Sequence, residues 1–75
     1  MTGSNVIMID PQGKKYTRRT MVQMAAGMAA TQGNLPSNFC AISYRQGVQE
    51  GGKFPAGRQA FMEACQEGVR LARRN

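Results

Sequence analysis

The sequence predicts a mainly α domain of the α+β class, in which a short N-terminal β-hairpin precedes two or three packed helices. The 75 residues suit one small domain spanning residues 1–75. A β-branched apolar run comes first, and segments with helical spacing of apolar residues follow it. Hydrophobic residues make up 41% of the chain, which is too many for a wholly disordered protein. We expect only residues 1–5 to be flexible.

The hairpin is predicted from its turn. Residues 6–9 are apolar and partly β-branched, and the following Asp10-Pro11-Gln12-Gly13 has Asp, Pro and Gly where a type I turn favours them. Residues 14–17 can then pair back on the first strand. Because an isolated hairpin is barely stable, its apolar face should pack on the helices. Residues 6–9 could also add an edge strand to a partner protein.

The first helix is predicted over residues 18–32. Thr17 or Thr20 can cap its start, and Gly33 followed by Pro36 ends it. Its apolar positions at helical spacing are Met21, Met24, Ala25 and Met28. We interpret the methionines as core, although Met can also line an adaptable protein-binding surface. Gly27 costs roughly 1 kcal/mol relative to Ala in mid-helix, which suggests a close helix contact there.

The segment of residues 36–50 is ambiguous between helix and strand. Cys40, Tyr44 and Val48 are four residues apart, as on one face of a helix, whereas Phe39 and Ile42 are also good strand formers. The absence of a turn signal before Gly51-Gly52 favours a helix by length.

The last helix is predicted over residues 56–73, with Pro55 at its first turn. Its apolar positions form one stripe: Phe61, Ala64, Cys65, Gly68, Val69 and Ala72. Its charged residues lie mostly off that stripe. Glu63 and Glu67 share a helix face beside Arg70, which is typical of a solvated surface rather than of an acid–base pair.

Several function classes are disfavoured by what the chain lacks. There is no His, the residue that most often transfers protons near neutral pH, so we expect no enzyme. Cys40 and Cys65 lie on apolar stripes and are interpreted as core thiols, too few for a disulfide framework or a zinc site. Gly51-Gly52-Lys53 lacks the spacing of a phosphate-binding loop. We therefore expect neither a metal nor a cofactor.

Positive charge is the main functional signal. Ten Lys and Arg against four acidic residues give a net charge of +6, which favours an acidic protein or nucleic acid as partner. The candidate binding residues form two groups: Lys14, Lys15, Tyr16, Arg18 and Arg19, and Arg70, Arg73 and Arg74. Cations near a helix start oppose its dipole, so the first group needs another reason. The dipole already explains the second group, which lies at a helix end.

DNA binding is the alternative reading. The region of residues 28–42 partly matches a helix-turn-helix, but residues 37–49 carry only one cation, Arg45, where base-reading side chains are expected. RNA binding by a stacking sheet would need exposed aromatic residues, for which only Tyr16 is a candidate.

In size and composition the chain resembles the small basic regulators by which bacteriophages bind host RNA polymerase. The resemblance implies a cytoplasmic, non-enzymatic regulator that inhibits initiation or alters termination through protein contact. It carries over no individual residue. A helix-turn-helix-like DNA-binding protein and a structural component of a virion or nucleoprotein particle stay open as alternatives. No apolar run is long enough to span a membrane and no secretory signal is evident, so a soluble cytoplasmic protein is expected. The oligomeric state is not predicted.

Overall fold

A computed structural model describes residues 6–73 and confirms the predicted hairpin. Strands β1 (Val6–Ile9) and β2 (Lys15–Thr17) pair antiparallel. The Asp10 carboxylate holds the turn by accepting hydrogen bonds from the backbone N–H groups of Gln12, at 3.0 Å, and Lys14, at 2.9 Å. Gly13 has φ +90°, a conformation that residues with a Cβ rarely adopt. Residues 1–5, which the sequence predicts to be flexible, lie outside the described residues.

The outer edge of β1 is partly covered by its own chain. Ile9 exchanges two backbone hydrogen bonds of 2.8 Å with Lys53, in the loop that follows the second helix. The backbone of Ile9 is therefore unavailable to a partner strand. Ile9 therefore cannot contribute to the edge strand that residues 6–9 were expected to offer a partner.

Helix α1 (Arg18–Gln32) has the predicted bounds. The Thr17 side chain accepts a hydrogen bond from the Thr20 N–H at its start. At its end the Gly33 N–H donates to the Ala29 carbonyl at 3.0 Å, and Gly33 has φ +78°. Both boundaries thus follow from the capping residues that the sequence shows.

Helix α2 (Phe39–Gln49) resolves the ambiguous segment in favour of a helix. Its buried positions are Cys40 and Gly47, whereas Val48 is 49% exposed. The predicted stripe therefore begins correctly at Cys40 but is wrong at Val48. Gly47 occupies the buried side of α2 in place of the predicted Val48. Packing is close there, because a Cβ on Gly47 would stand 2.8 Å from the Phe54 ring.

Helix α3 (Gly57–Arg73) is the central element and confirms the last predicted helix. It packs along α1, and α2 packs on it. No Cα atom of α1 lies within 8 Å of one in α2, so α3 lies between two helices that do not touch through their backbones. The buried cluster consists of Ile7, Met21, Ala25, Cys40, Phe61, Ala64 and Cys65.

The close contact between α1 and α3 is at Gly68 and not, as predicted, at Gly27. A Cβ on Gly68 would stand 2.7 Å from the Ala25 Cβ, whereas a Cβ on Gly27 would meet nothing within 4 Å. Alanines and a glycine let the helices approach closely, so the buried face of α1 contains Met21, Ala25 and Ala29.

The two cysteines form a disulfide, which corrects their interpretation as core thiols. Cys40 and Cys65 have Cα atoms 5.8 Å apart, a usual separation for a bridge. The apolar stripes of α2 and α3 face each other and bring the two residues together. Spacing along the chain could not show this proximity, because 25 positions separate them.

Candidate partner-binding surface

Four cations form the hairpin-end basic surface, which we define as Lys14, Lys15, Arg18 and Arg19. All four residues are exposed. β2 and the first turn of α1 are continuous in sequence, and this continuity keeps the four together. The first turn of α1 holds no acidic residue, so this turn itself does not offset the unfavourable interaction of Arg18 and Arg19 with the positive end of the helix dipole.

Tyr16 has a structural position within this predicted group. Its side chain is half-buried against the core cluster, and its hydroxyl donates a hydrogen bond of 3.2 Å to the Asp10 carboxylate. Burial, followed by this hydrogen bond, raises the pKa of Tyr16. The Lys14 ammonium lies 5.3 Å from the centre of the Tyr16 ring, within cation–π range. The main role of Tyr16 is thus to position the Lys14 side chain, and its ring contributes less as a contact surface for a partner.

Asp10 anchors the same turn electrostatically. Its pKa is lowered, chiefly because the Lys14 N–H donates to the carboxylate, with further contributions from the Tyr16 hydroxyl and the Gln12 N–H. The ionised carboxylate is therefore part of what positions Lys14.

Arg18 is tied to α3 by an ion pair with Glu67. This pair is the one salt bridge found in the stretch from Val6 to Arg73. Sequence reasoning assigned Glu67 to a solvated face beside Arg70 and gave no signal of a partner 49 positions away. The pair neutralises part of the predicted cluster. Lys14, Lys15 and Arg19 are its cations that form no salt bridge among residues 6–73.

The second predicted group lies on a different surface. Arg70 and Arg73 line a groove between α3 and residues 36–41, at the start of α2. Arg74 lies outside the described residues. The structure therefore brings Arg18 to α3 but does not merge the two predicted groups into one site.

An apolar groove between α1 and α2 was not predicted. Met24 and Met28 are 42% and 40% exposed and line one wall, and Phe61 and Cys65 of α3 also line it. Of the three methionines interpreted as core, Met21 alone is buried. The reason is the close contact between Ala25 and Gly68, which turns that side of α1 towards α3 and leaves Met24 and Met28 on the side that lines the groove.

The helix arrangement gives the helix-turn-helix alternative no support. The candidate recognition helix α2 packs on α3 and makes no close backbone approach to α1, whereas the two helices of that motif pack together. In the described residues, no helix is long and apolar enough to cross a membrane. No group of three potential metal ligands occurs between residues 6 and 73.

Comparison with known proteins found no similar family, curated protein or solved structure for this chain.

Proposed function

We propose that this protein is a non-enzymatic regulator that docks on an acidic protein surface through the hairpin-end basic surface. The observation that carries this proposal is the exposure of Lys14, Lys15 and Arg19 beside a helix start that disfavours cations. Cations at a helix start lower the free energy of unfolding. A binding role gives a reason for this cost. RNA polymerase is the partner that the resemblance to small phage regulators places first, with an effect on initiation or termination.

The arrangement suits electrostatic steering. Exposed cations raise the association rate with an acidic surface over long distances, while contributing less to the lifetime of the complex. The Asp10 turn and the Tyr16 ring hold Lys14 in place, so part of the surface is ordered before binding. Ordering in advance reduces the entropy lost on association.

The proposal includes no catalytic step. The sequence contains no His, and the acidic residues that lie next to the basic surface, Asp10 and Glu67, are both engaged in structural contacts. Binding alone would then account for its activity.

The test is affinity capture from a bacterial lysate, with and without nuclease, followed by mass spectrometry. A protein partner recovered in stoichiometric amount after nuclease treatment, above all RNA polymerase, supports the proposal. A capture that nuclease empties contradicts it and favours direct nucleic-acid binding, whose affinity should also fall by about a thousandfold between about 50 and 200 mM salt for six phosphate contacts. A large sedimenting assembly would favour a structural particle component.

The proposed place of action is the bacterial cytoplasm. Disulfides are rare there because cellular thiols reduce them, but Cys40 and Cys65 are only 6% and 3% exposed, and burial slows the attack of a thiolate. Alkylation of cells before lysis, followed by mass measurement, tests this location. Free Cys40 and Cys65 thiols in cells, with the bond forming only after lysis, support the cytoplasmic assignment, whereas recovery of the oxidised protein from the periplasm contradicts it.

A further inference from the structure

We propose that the α2–α3 groove, which lies between residues 36–41 and the last turns of α3, is a second docking site. Its occupant is a short acidic peptide segment of a partner protein that projects one apolar side chain into the groove. The groove has a volume of about 480 Å³ and opens to solvent. It shares no lining residue with the hairpin-end basic surface, so this proposal does not rest on the function proposed above.

The floor of the groove is apolar. Phe39 of α2 and Met62 and Val69 of α3 line it, are each half-buried and pack against the core cluster. The exposed side chains of Ser37 and Gln66 stand on the two walls, one on the α2 side and one on α3. A concave site of this kind receives a projecting apolar side chain and offers polar groups to the chain that carries it, whereas a flat membrane surface would touch only the rim.

The charge of the groove is positive. Arg70 and Arg73 line it and are exposed, and because they are three positions apart on α3, they lie along one wall. None of the described residues that line the groove is acidic. The acidic residues of α3, Glu63 and Glu67, lie outside it, and Glu67 is paired with Arg18. Two guanidinium groups on one wall fit carboxylates, to which each can donate two parallel hydrogen bonds.

The combination of floor and charge selects an acidic peptide over a nucleic acid. The dipole of α3 favours cations near its end, but it does not determine that they lie beside an apolar floor. A nucleic-acid strand would need a longer series of cations along its phosphates and exposed aromatic rings for base stacking. Phe39 is the one aromatic residue among the described residues that line the groove, and it is half-buried. Carboxylates around one apolar side chain match both features.

The two walls are joined before any partner binds. Cys40 lines the groove and is bonded to Cys65 of α3. The bond fixes the start of α2 against α3, so the groove exists in the free protein. A preformed site loses less entropy on association than one that must be ordered by its ligand.

The experiment is a selection of short random peptides, displayed on yeast, against the full chain, followed by affinity measurement with the enriched peptides. These peptides should carry Asp or Glu on both sides of an apolar residue, and their affinity should fall when salt rises from about 50 to about 500 mM. Replacing either the apolar residue or the acidic residues of the peptide should weaken binding. A selection that enriches no peptide, or only peptides that lack one of the two features, overturns the proposal.

Variants of the chain test each feature of the groove separately. Arg70→Gln/Arg73→Gln should weaken binding of the enriched peptide by about tenfold through loss of the paired carboxylates. Met62→Gln, which keeps the length and helix propensity of the side chain, should weaken it by about fourfold, as for one buried CH₂ group. The matched control is Arg45→Gln/Arg58→Gln, which removes the same charge at exposed residues outside the groove and should bind like the wild type. Circular dichroism checks that each variant folds.

Chemical shifts then locate the bound peptide. During titration the amide signals of residues 36–41 and 62–73 should move, and those of residues 14–19 should stay in place. Shifts confined to residues 14–19 would put the peptide on the hairpin-end basic surface, which overturns this proposal and leaves the proposed function intact. A control variant that loses affinity as fully as Arg70→Gln/Arg73→Gln also overturns it, because binding would then depend on net charge alone.

Discussion

Gly68 of α3 and Ala25 of α1 are so close that a Cβ on Gly68 would stand 2.7 Å from the Ala25 Cβ. This contact sets the distance between the two main helices and, through it, the direction in which Met24 and Met28 point. The groove and the exposed methionines are thus consequences of a glycine on the neighbouring helix.

Gly68→Ala should destabilise the fold by about 1–3 kcal/mol, the usual range for overpacking a close contact. Gly27→Ala is the matched control in the other helix. It has open space around the new methyl group and should stabilise the protein by about 0.5–1 kcal/mol through helix propensity. Urea unfolding of both variants measures the difference. Equal effects of the same sign would show that the packing at Gly68 is not as close as described.

Reduction of the Cys40–Cys65 disulfide should lower the free energy of unfolding by about 3 kcal/mol, from the entropy of a closed loop of this length. That is a large share of the stability of a small domain. Thermal unfolding with and without a dithiol reductant measures it. The variant Cys40→Ala/Cys65→Ala serves as control, because its melting temperature should not respond to the reductant. A wild type with an unchanged melting temperature after full reduction contradicts this prediction.

Arg19→Glu should stabilise the isolated protein while weakening partner binding. Reversing the charge in the first turn of α1 replaces an unfavourable interaction with the helix dipole by a favourable one, a gain of about 0.5–1 kcal/mol. Arg19→Gln should give about half of that gain. Chemical denaturation of the three proteins checks the order. A loss of stability in Arg19→Glu would mean that Arg19 has a structural partner.

The turn at Asp10 should weaken in acid. The folded pKa of Asp10 lies below its ordinary value of 3.8, so its contribution to stability is present above that value and disappears as the pH falls through the lower folded pKa. Asp10→Asn should remove this part of the pH dependence. Chemical shifts of the amide protons of Gln12 and Lys14, followed during acid titration, report it directly. An Asp10 carboxyl that titrates at or above 3.8 would contradict this account of the turn.

The sequence predicted the local structure well because local chemistry specifies it. The Asp10 turn, the Thr17 cap and the Gly33 stop each depend on residues within four positions. Long-range relationships were not predictable in this way. The disulfide, the Arg18–Glu67 pair and the exposure of Met28 all depend on how α3 packs. Gly68 lies on the predicted apolar stripe, but the stripe does not show which helix packs against it or how closely.

The candidate site was predicted in part. Exposure of Lys14, Lys15 and Arg19 agrees with the expectation from charge, because turns and helix starts lie at the surface. Tyr16 proved half-buried and Arg18 paired, since the hairpin packs against α1 and α3. The separation of Arg70 and Arg73 from this group reflects the groove they share with the start of α2.

The most direct test of the central claim is the association rate with the captured protein partner for two charge-reversal variants. Lys15→Glu/Arg19→Glu alters the hairpin-end basic surface, and Arg45→Glu/Arg58→Glu makes the same change in net charge on exposed residues elsewhere. We predict that the first variant associates at least about tenfold more slowly than the wild type, while its dissociation rate changes much less. The association rate of the second variant should stay close to that of the wild type. Equal association rates for the two variants would contradict docking through the hairpin-end basic surface.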